Sequence, residues 1–398
     1  MMGIDLNALE LKPRELNIDG GLILGAITGD ITGSVYEFHN VKRTDFDLFT
    51  PKTTFTDDSI LTVATMEALL LGETSLADYT RLYQSYGRKY PNRGWGNRFH
   101  YWIHSDDPQP YDSWGNGSAM RASPIGWAFD TIEEVLAEAE KSASVSHNHS
   151  EGIKGAQAAA LAVWLARNGV SKRDIKWNIR DRFGYNLERT CDEIREDYSF
   201  DESCQGTVPE AVIAFLESAD YENALRLAVS LGGDSDTLAC ITGGIAEAYY
   251  GGVPAHIAAK ALSLLPDELI SVIAQFSAKY RPTMKSQIEK GERYAAKGIE
   301  YLSRKMYWEA ADEFTAALDF IAGVTGNASL DKRVLWLVLR GDARHGRQWY
   351  KDALEDYRKA LQAMPALSLS PSMPEVEKKI EMVIREGRNF DPYIGEDE

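Results

Sequence analysis

Apolar residues recur at three- and four-residue spacing along most of the chain between residues 22 and 279. Segments with this period and with good helix formers are predicted to be amphipathic α-helices, and the alternating pattern of half-buried strands is scarce. The clearest predicted helices span residues 59–71, 132–141, 153–167, 208–218, 221–229, 237–250 and 266–279. Joints rich in Gly and Asn separate them, so functional side chains are expected on loops that enter or leave helices. The sequence therefore predicts an all-α first domain.

The length of the chain, 398 residues, predicts two or three domains at about 100 to 200 residues per domain. An internal match after residue 281, in which four residues recur at an offset of 43, marks the second domain. The matched quartets are Gly298, Ala310, Phe314, Ala317 and Gly341, Ala353, Tyr357, Ala360. Each quartet puts a small residue where two antiparallel helices cross closely and an aromatic ring on the same face. The second domain is therefore expected to consist of repeated helical hairpins.

This internal repeat resembles the tetratricopeptide repeat, with two copies over residues 286–365. Two stacked hairpins leave an apolar end exposed, and apolar residues at helical spacing over 374–387 predict a helix that caps it. Residues 388–398 are expected to form a loose tail. A domain of this kind suggests a protein partner that binds through the repeats.

The charge and the cysteine content of the chain limit its partners and its location. Sixty acidic and 43 basic side chains give a formal charge of −17, which argues against general nucleic-acid binding and against binding to an anionic membrane. The richest apolar stretch, residues 156–166, is about half the ~20 residues that a membrane helix needs. Three widely spaced cysteines and the lack of an export signal at the N-terminus predict reduced thiols and a cytoplasmic protein.

Acidic residues concentrate at two points where a loop is predicted to enter a helix. The first is Thr56-Asp57-Asp58-Ser59, and the second is the run GGDSDT at residues 232–237. Helix capping explains one Asp or Ser at such a junction. Two carboxylates with a flanking hydroxyl exceed that need at both places, and hard oxygen donors of this kind suit Mg²⁺, Mn²⁺ or Ca²⁺. Capping and metal binding are both open from spacing alone.

Five motifs together resemble the ADP-ribosylglycohydrolase family in order and spacing. They are GAITGDITGSVYE at 25–37, TDDS at 56–59, GNGSAMR at 115–121, HNH at 147–149 and GGDSDT at 232–237. The resemblance covers residues 18–283 and implies an all-helical catalytic domain with a binuclear Mg²⁺ or Mn²⁺ centre. The implied reaction is hydrolysis of the glycosidic bond at C1″ of the distal ribose of ADP-ribose, through a transition state with oxocarbenium character.

The resemblance also implies roles for individual residues. The implied metal ligands are Thr56, Asp57, Asp58, Asp234, Asp236 and Thr237, with Asp236 as the bridge between two ions. Glu37 falls where the family holds a glutamate beside the scissile bond, and Glu37 or Asp57 is expected to move the proton. Asp30, between two glycines of the first motif, is interpreted as a structural residue that orders its loop.

The diphosphate of the implied substrate needs local hydrogen-bond donors, because the acidic first domain does not attract it by charge. The expected cradle is formed by backbone N–H groups of Asn116, Gly117, Ser118, Ala119 and Met120, where Gly permits close approach. His147 is expected on the phosphate side, with a structural histidine as the alternative. Arg121 is expected to pair either with the phosphates or with a carboxylate of the domain. Trp95, Tyr90 and Tyr111 are weaker candidates to stack on the adenine.

A second hypothesis is a catalytically silent scaffold that binds ADP-ribose and uses its repeats for protein interaction. The intact set of acidic ligands argues for the enzyme. The implied substrates are ADP-ribosylated proteins or small ADP-ribosyl molecules, and the sequence leaves the acceptor atom open.

Overall fold

The computed structural model describes residues 21–281, 284–321, 327–364 and 372–390. The chain divides into two compact units, residues 1–281 and 282–398. The described residues are mostly helical and contain no β-strand, only an isolated bridge between Gly115 and Ser203. The prediction of an all-α protein is therefore confirmed. Within the described part of the chain, no helix combines the length and the apolar character that crossing a membrane requires.

The helices of the first unit surround one large apolar core. They are α1 (Gly25–Gly33), α2 (Asp57–Leu70), α3 (Leu76–Lys89), α4 (Asn97–His104), α5 (Gly117–Met120), α6 (Ser123–Ala128), α7 (Ile132–Ser144), α8 (Ser150–Arg167), α9 (Lys172–Phe183), α10 (Cys191–Asp197), α11 (Cys204–Glu217), α12 (Tyr221–Ser230), α13 (Ser235–Tyr250), α14 (Ala255–Leu262) and α15 (Asp267–Tyr280).

Helices α2 and α13 each begin two residues earlier than the apolar pattern predicts. The first turn of α2 contains Asp57 and Asp58, and that of α13 contains Asp236. First-turn residues are commonly polar, because side chains and solvent there satisfy backbone N–H groups without intrahelical partners. The predicted acidic junctions are therefore the first turns of two helices rather than the loops before them.

Three glycines on one face of α1 let its backbone lie directly against α13. A methyl group added to Gly25, Gly29 or Gly33 would overlap the α13 backbone, for example the carbonyl of Ala239 opposite Gly29. Only a residue without a Cβ permits so close an approach. This packing explains the glycine spacing of the first motif. It also brings the carboxylate of Asp30 on α1 next to that of Asp236 on α13.

A buried ion pair fixes the N-terminus of α1. The carboxylate of Glu247 on α13 accepts hydrogen bonds from the backbone N–H groups of Leu24 and Gly25 at 3.0 and 2.6 Å. Arg281 donates to the same carboxylate at 2.8 Å, and both side chains of the pair are almost fully buried. Glu247 thus caps α1 and counters its positive dipole end.

The second unit consists of antiparallel helical hairpins around a separate core. Its helices are α16 (Met284–Ser303), α17 (Tyr307–Phe320), α18 (Asn327–Gly346), α19 (Tyr350–Ala363) and α20 (Met373–Gly387). Each packs against its sequence neighbours, and α20 packs on α19 and buries Val376 and Val383. The role of this helix as a cap of the repeats stays a prediction. Residues 365–371 and most of the expected tail, 391–398, lie outside the described residues.

The two hairpins repeat one another in detail. Gly298 lies against the ring of Phe314, and Gly341 lies against that of Tyr357, as expected from the offset of 43. Lys305 and Gln348, at equivalent positions of the two turns, both have left-handed backbones, with φ of 57° and 62°. The amides that follow them donate to the carbonyl five residues earlier at 2.9 Å in both turns, which is the hydrogen bond of a Schellman motif. The relation to the tetratricopeptide repeat stays a prediction.

Candidate active site

A cavity of about 330 Å³ in the first unit collects most of the residues that the motifs single out. The predicted residues that line it are Glu37, Asp57, Asp58, Asn116, Gly117, Met120, His147, Asp234, Asp236 and Thr237. They come from the loop after α1, the first turn of α2, the start of α5, the loop before α8 and the first turn of α13. The fold therefore joins all five motifs at one place.

Asp30 holds the first turn of α2 in position. Its buried carboxylate accepts hydrogen bonds from the backbone N–H groups of Thr56 and Ser59 at 3.0 and 3.1 Å, and from both hydroxyls. Thr56 is the N-cap of α2, and its side chain accepts from the amide of Asp58. The carboxylate of Asp30 therefore orders the second motif, rather than its own loop as the sequence suggested.

The carboxylates of the cavity form two groups that share one member. Asp30, Asp58 and Asp236 offer oxygen atoms within 4.8 Å of one another, and so do Glu37, Asp234 and Asp236. One oxygen of Asp58, Oδ1, is buried and has no hydrogen-bond partner in the described structure. The other oxygen accepts from the Thr237 hydroxyl at 3.3 Å. The two carboxylate groups that share Asp236, together with a buried oxygen that has no partner, are therefore candidates to hold a metal ion.

The electrostatics of this cluster are unfavourable in the protein alone. Burial, and next the neighbouring carboxylates, raise the pKa values of Asp58 and Asp236 well above their usual range. Asp57 is half-exposed, and desolvation followed by the charge of Asp30 raises its pKa in the same direction. Burial and then the charges of Asp234 and Asp30 raise the pKa of Glu37 to about 7. Burial is the main cause of each shift, and the negative charges of neighbouring carboxylates add to it.

The loop that carries Glu37 is fastened to the turn that carries Asp234. The amide nitrogen of Asn40 donates to the carbonyls of Glu37 and Gly233 at 3.0 and 2.9 Å, and its oxygen accepts from the Gly233 amide at 2.9 Å. Gly233 has a φ of 68°, which favours glycine. Lys42 adds a hydrogen bond to the carbonyl of Leu231. Asn40 and Lys42 lie outside the motifs, so no sequence pattern marked them as residues of the site.

The loop at residues 115–121 serves the site differently from the predicted backbone cradle. The side-chain amide of Asn116 donates a hydrogen bond to the Asp234 carboxylate at 2.7 Å. The backbone N–H groups of Ala119 and Met120 donate to the Asn116 carbonyl, because these residues form the short helix α5. Ser118 and Ala119 are buried away from the cavity, and the Ser118 hydroxyl donates to the Gly152 carbonyl at 2.7 Å. The backbone N–H groups of Asn116, Ala119 and Met120 are thus occupied, that of Asn116 by the Glu202 carbonyl at 2.8 Å. Of the five residues of the expected cradle, Asn116, Gly117 and Met120 line the cavity.

His147 is a buried histidine at the cavity wall. Its Nδ1 lies 2.8 Å from the Ser146 hydroxyl, and the Tyr111 ring lies 5.8 Å away. Burial, and next the charges of Arg121 and Arg98, lower the pKa of His147 well below its usual range. The imidazole is therefore neutral at neutral pH and can donate from one ring nitrogen and accept at the other.

Arg121 lines the cavity and forms no ion pair with a carboxylate of the described residues, so a pairing with the phosphates stays a prediction. Its side chain is fully buried and donates to the Ser142 carbonyl and to the Ser146 hydroxyl at 2.9 and 3.0 Å. Of the aromatic candidates, Tyr111 lines the cavity. Trp95 instead donates to the Tyr90 carbonyl at 2.9 Å, so these two rings belong to the packing beside the site.

Several further residues of the cavity wall carried no sequence signal. They include Arg98, Phe99, Trp114, Phe200 and Glu202. Arg98 lies over the ring of Tyr111, 4.7 Å from its centre. These side chains lie between or beside the motifs, and only the packing of the chain brings them to the cavity.

Comparisons with known proteins agree on the family of the first unit. Residues 20–285 match the model of a family described as ADP-ribosylglycohydrolase. An ADP-ribosylhydrolase ARH3 from Mus musculus is 27% identical over 314 residues, which cover 60% of this chain and 85% of the relative. An ADP-ribosylarginine hydrolase Tri1 from Pseudomonas putida is 29% identical over 148 residues, 34% of this chain and 38% of the relative.

A solved structure shares the fold of the first unit. It is a chain of an ADP-ribosylglycohydrolase-related protein complex, with a TM-score of 0.51 and 23% sequence identity over 65% of this chain and 97% of that one. At this identity the likeness concerns the fold alone.

Proposed function

The chain belongs to the ADP-ribosylglycohydrolase family, and from this premise we propose that it hydrolyses the glycosidic bond between the distal ribose of ADP-ribose and an acceptor. The products are ADP-ribose and the free acceptor. One observation supports this function most directly, namely two carboxylate groups joined through Asp236 in a cavity that also contains Glu37 and His147.

The residues of the cavity fit a pair of divalent cations. The buried Oδ1 of Asp58 has no partner among the described residues, and the carboxylate oxygens of each group lie within 4.8 Å of one another. An all-oxygen donor set favours Mg²⁺ or Mn²⁺ over zinc. The residues proposed to hold the ions are Thr56, Asp57, Asp58, Asp234, Asp236 and Thr237. When bound there, such ions orient ribose hydroxyls and acidify a water molecule.

Glu37 is proposed as the acid/base residue because it lies at the edge of the acidic cluster without being enclosed by it. It is half-buried, lines the cavity and is held by the Asn40 contacts described above. A carboxylate placed in this way can take a proton from water and deliver it to the departing acceptor. Asp57, also half-exposed at the cavity wall, is the second candidate for proton transfer.

The proposed substrates are ADP-ribosylated protein side chains or small ADP-ribosyl molecules. The names of the relatives, an ADP-ribosylhydrolase and an ADP-ribosylarginine hydrolase, support this class. Asn116, Gly117, Met120 and His147 are the proposed contacts to the ADP-ribosyl group, since all four line the cavity. The second unit is proposed to bind a protein partner. A cytoplasmic location is proposed with it, and the buried free thiols of Cys191, Cys204 and Cys240 accord with a reducing compartment.

The proposal is tested by the release of ADP-ribose from a panel of ADP-ribosylated arginine, ADP-ribosylated serine and O-acetyl-ADP-ribose. Release is expected from at least one of them with Mg²⁺ or Mn²⁺, is abolished by EDTA and returns when metal is added back. If folded protein supplied with metal releases ADP-ribose from none of the three compounds, the proposed enzymatic function is wrong. Titration of Mg²⁺ or Mn²⁺ by calorimetry distinguishes the silent scaffold, which has no need of two tight ions.

A further inference from the structure

Arg121 is a buried cation that has no acidic partner among the residues that the structure describes. Its guanidinium lies 4.4 Å from the ring centre of Tyr83 and 5.8 Å from that of Phe99. Within the described part of the chain it forms no ion pair, and its Nε and Nη1 atoms are buried without a hydrogen-bond partner. Burial of an unpaired charge costs folding free energy. A function in the cavity that Arg121 lines would explain why this charge is buried.

The contacts of Arg121 lead to His147 through one hydroxyl. Arg121 Nη2 donates to Ser146 Oγ at 3.0 Å, and this oxygen lies 2.8 Å from His147 Nδ1. A guanidinium can only donate, so Ser146 Oγ is the acceptor of the first hydrogen bond. Ser146 is fully buried, and the described residues offer its hydroxyl proton no acceptor other than Nδ1. Nδ1 is therefore unprotonated, and the ring proton of the neutral histidine is on Nε2.

The Nε2 atom of His147 is open toward the cavity because Gly117 has no side chain. A Cβ added at Gly117 would lie 3.1 Å from Nε2, and both residues line the cavity. The rings of Phe99 and Tyr111, with centres 6.4 and 5.8 Å from that of the imidazole, confine the ring. The cavity therefore receives an N–H donor of fixed direction.

We propose that Arg121 and Ser146 are positioning residues that hold His147 in its Nε2–H form, so that His147 donates a hydrogen bond to an anionic oxygen of the substrate's diphosphate. The identity of the anion rests on the proposed function, whereas the tautomer follows from the contacts alone. The buried charge of Arg121 polarises this donor and gives the acidic first unit a local preference for an anion. A protonated histidine is not required.

The first test reads the tautomer in the ligand-free, full-length protein. ¹⁵N-edited NMR of protein labelled at histidine separates a protonated ring nitrogen from an unprotonated one, and His147→Gln identifies the signal. The expected result is a protonated Nε2 and an unprotonated Nδ1 for His147. A proton on Nδ1 overturns the proposal. This measurement does not depend on any enzymatic activity.

The second test compares Ser146→Ala with the conservative variant Ser146→Thr, which keeps the hydroxyl. We expect Ser146→Ala to lose the single tautomer and to weaken ADP-ribose binding about tenfold, as for the loss of a hydrogen bond to a charged group. The KM should rise in parallel while kcat changes little. Ser146→Thr should restore both properties, and Gly117→Ala should weaken binding while the tautomer is kept, because its methyl group obstructs Nε2.

A folded Ser146→Ala protein that binds ADP-ribose as tightly as the wild type overturns the proposal, as does a Ser146→Thr protein without rescue. Circular dichroism and NMR dispersion establish that each variant is folded. If the wild type neither binds nor cleaves ADP-ribosyl compounds, the proposed function is wrong. The NMR measurement then still shows whether His147 is held in the single Nε2–H tautomer.

Discussion

At the scale of single residues, Asp236 is the side chain on which the candidate site most depends. It belongs to both carboxylate groups of the cavity, and its pKa is raised by burial and by its acidic neighbours. Glu37 belongs to one group and is less buried. Because of this difference in position, we expect Asp236 to assemble the site and Glu37 to act at its edge.

The substitution Asp236→Ala should abolish both metal binding and turnover, because it removes the carboxylate that the two groups share. Calorimetric titration with Mn²⁺ and the ADP-ribose release assay measure the two effects. The control is Asp130→Ala, since Asp130 is fully exposed at the protein surface. Unchanged hydrolysis by the Asp236 variant would contradict the assignment.

The substitution Glu37→Gln should keep metal binding and lower kcat by roughly 100-fold or more, the usual contribution of a general acid/base residue. Gln keeps the size of the side chain and loses the ability to exchange a proton. Kinetics at saturating substrate measure the effect, and calorimetry shows whether the ions still bind. A variant that loses the ions instead would identify Glu37 as a ligand.

The substitution Asn40→Ala should lower kcat about tenfold or more with little loss of stability. It removes two hydrogen bonds that hold the Glu37 loop against Gly233 and one within the loop to the Glu37 carbonyl, and small misplacement of a catalytic group is costly. Thermal unfolding provides the stability control, and Gln109→Ala, at an exposed position, is the matched variant. Full activity of Asn40→Ala would show that the loop holds its place without this clamp.

At the scale of elements, the close packing of α1 on α13 determines where the acids lie. The glycine face of α1 permits backbone contact with α13, and Glu247 caps the start of α1 from α13. Asp30 then ties α1 to the first turn of α2. Three helix segments are thereby locked together, and each carries one or more acids of the cluster.

The substitution Gly29→Ala should destabilise the first unit by roughly 1–3 kcal/mol, the usual cost of overpacking a buried contact. Its methyl group would overlap the backbone of Ala239, so the two helices must separate. We expect metal affinity to fall with stability, because Asp30 and Asp236 move apart. The control is Gly96→Ala, where nothing lies within 4 Å of the added methyl group. Equal unfolding temperatures for the two variants would contradict this account of the packing.

At the scale of the whole molecule, the chain combines two units that each have a core of their own. All residues of the candidate site lie in the first unit. The second unit repeats a helical hairpin and is followed by α20, which packs on α19; contacts between neighbouring repeats stabilise such an arrangement. The proposed chemistry and the proposed partner binding are therefore assigned to different units.

Deletion of residues 286–398 should spare the cleavage of a small ADP-ribosyl substrate and weaken the cleavage of an ADP-ribosylated protein. The reason is that the cavity is complete without the second unit, whereas a protein substrate is proposed to use the repeats. The ratio of kcat/KM for the two substrates, in the full chain and in the truncated chain, measures the effect. Equal losses on both substrates would exclude a role of the repeats in presenting protein substrates.

Local sequence patterns predicted the helices and the acids of the site, but they did not predict how backbone groups are used. The motif at 115–121 suggested a cradle of five backbone donors. In α5, however, the N–H groups of Ala119 and Met120 donate to the Asn116 carbonyl. Asn40 was missed because an amide side chain on a loop has no distinctive spacing. Hydrogen-bond partners far apart in sequence, such as Asn40 and Gly233, follow from the fold and not from a pattern.

The sequence by itself predicted the helical class, the internal repeat and the acidic motifs, because periodicity and motif spacing are properties of neighbouring residues. Only the tertiary structure decided that Asp236 joins two carboxylate groups, that Asp30 serves α2, and that Arg121 reaches His147 through Ser146. These relations join segments up to about two hundred residues apart. They arise because the glycine face of α1 packs closely on α13, which brings motifs that are distant in the sequence to one cavity.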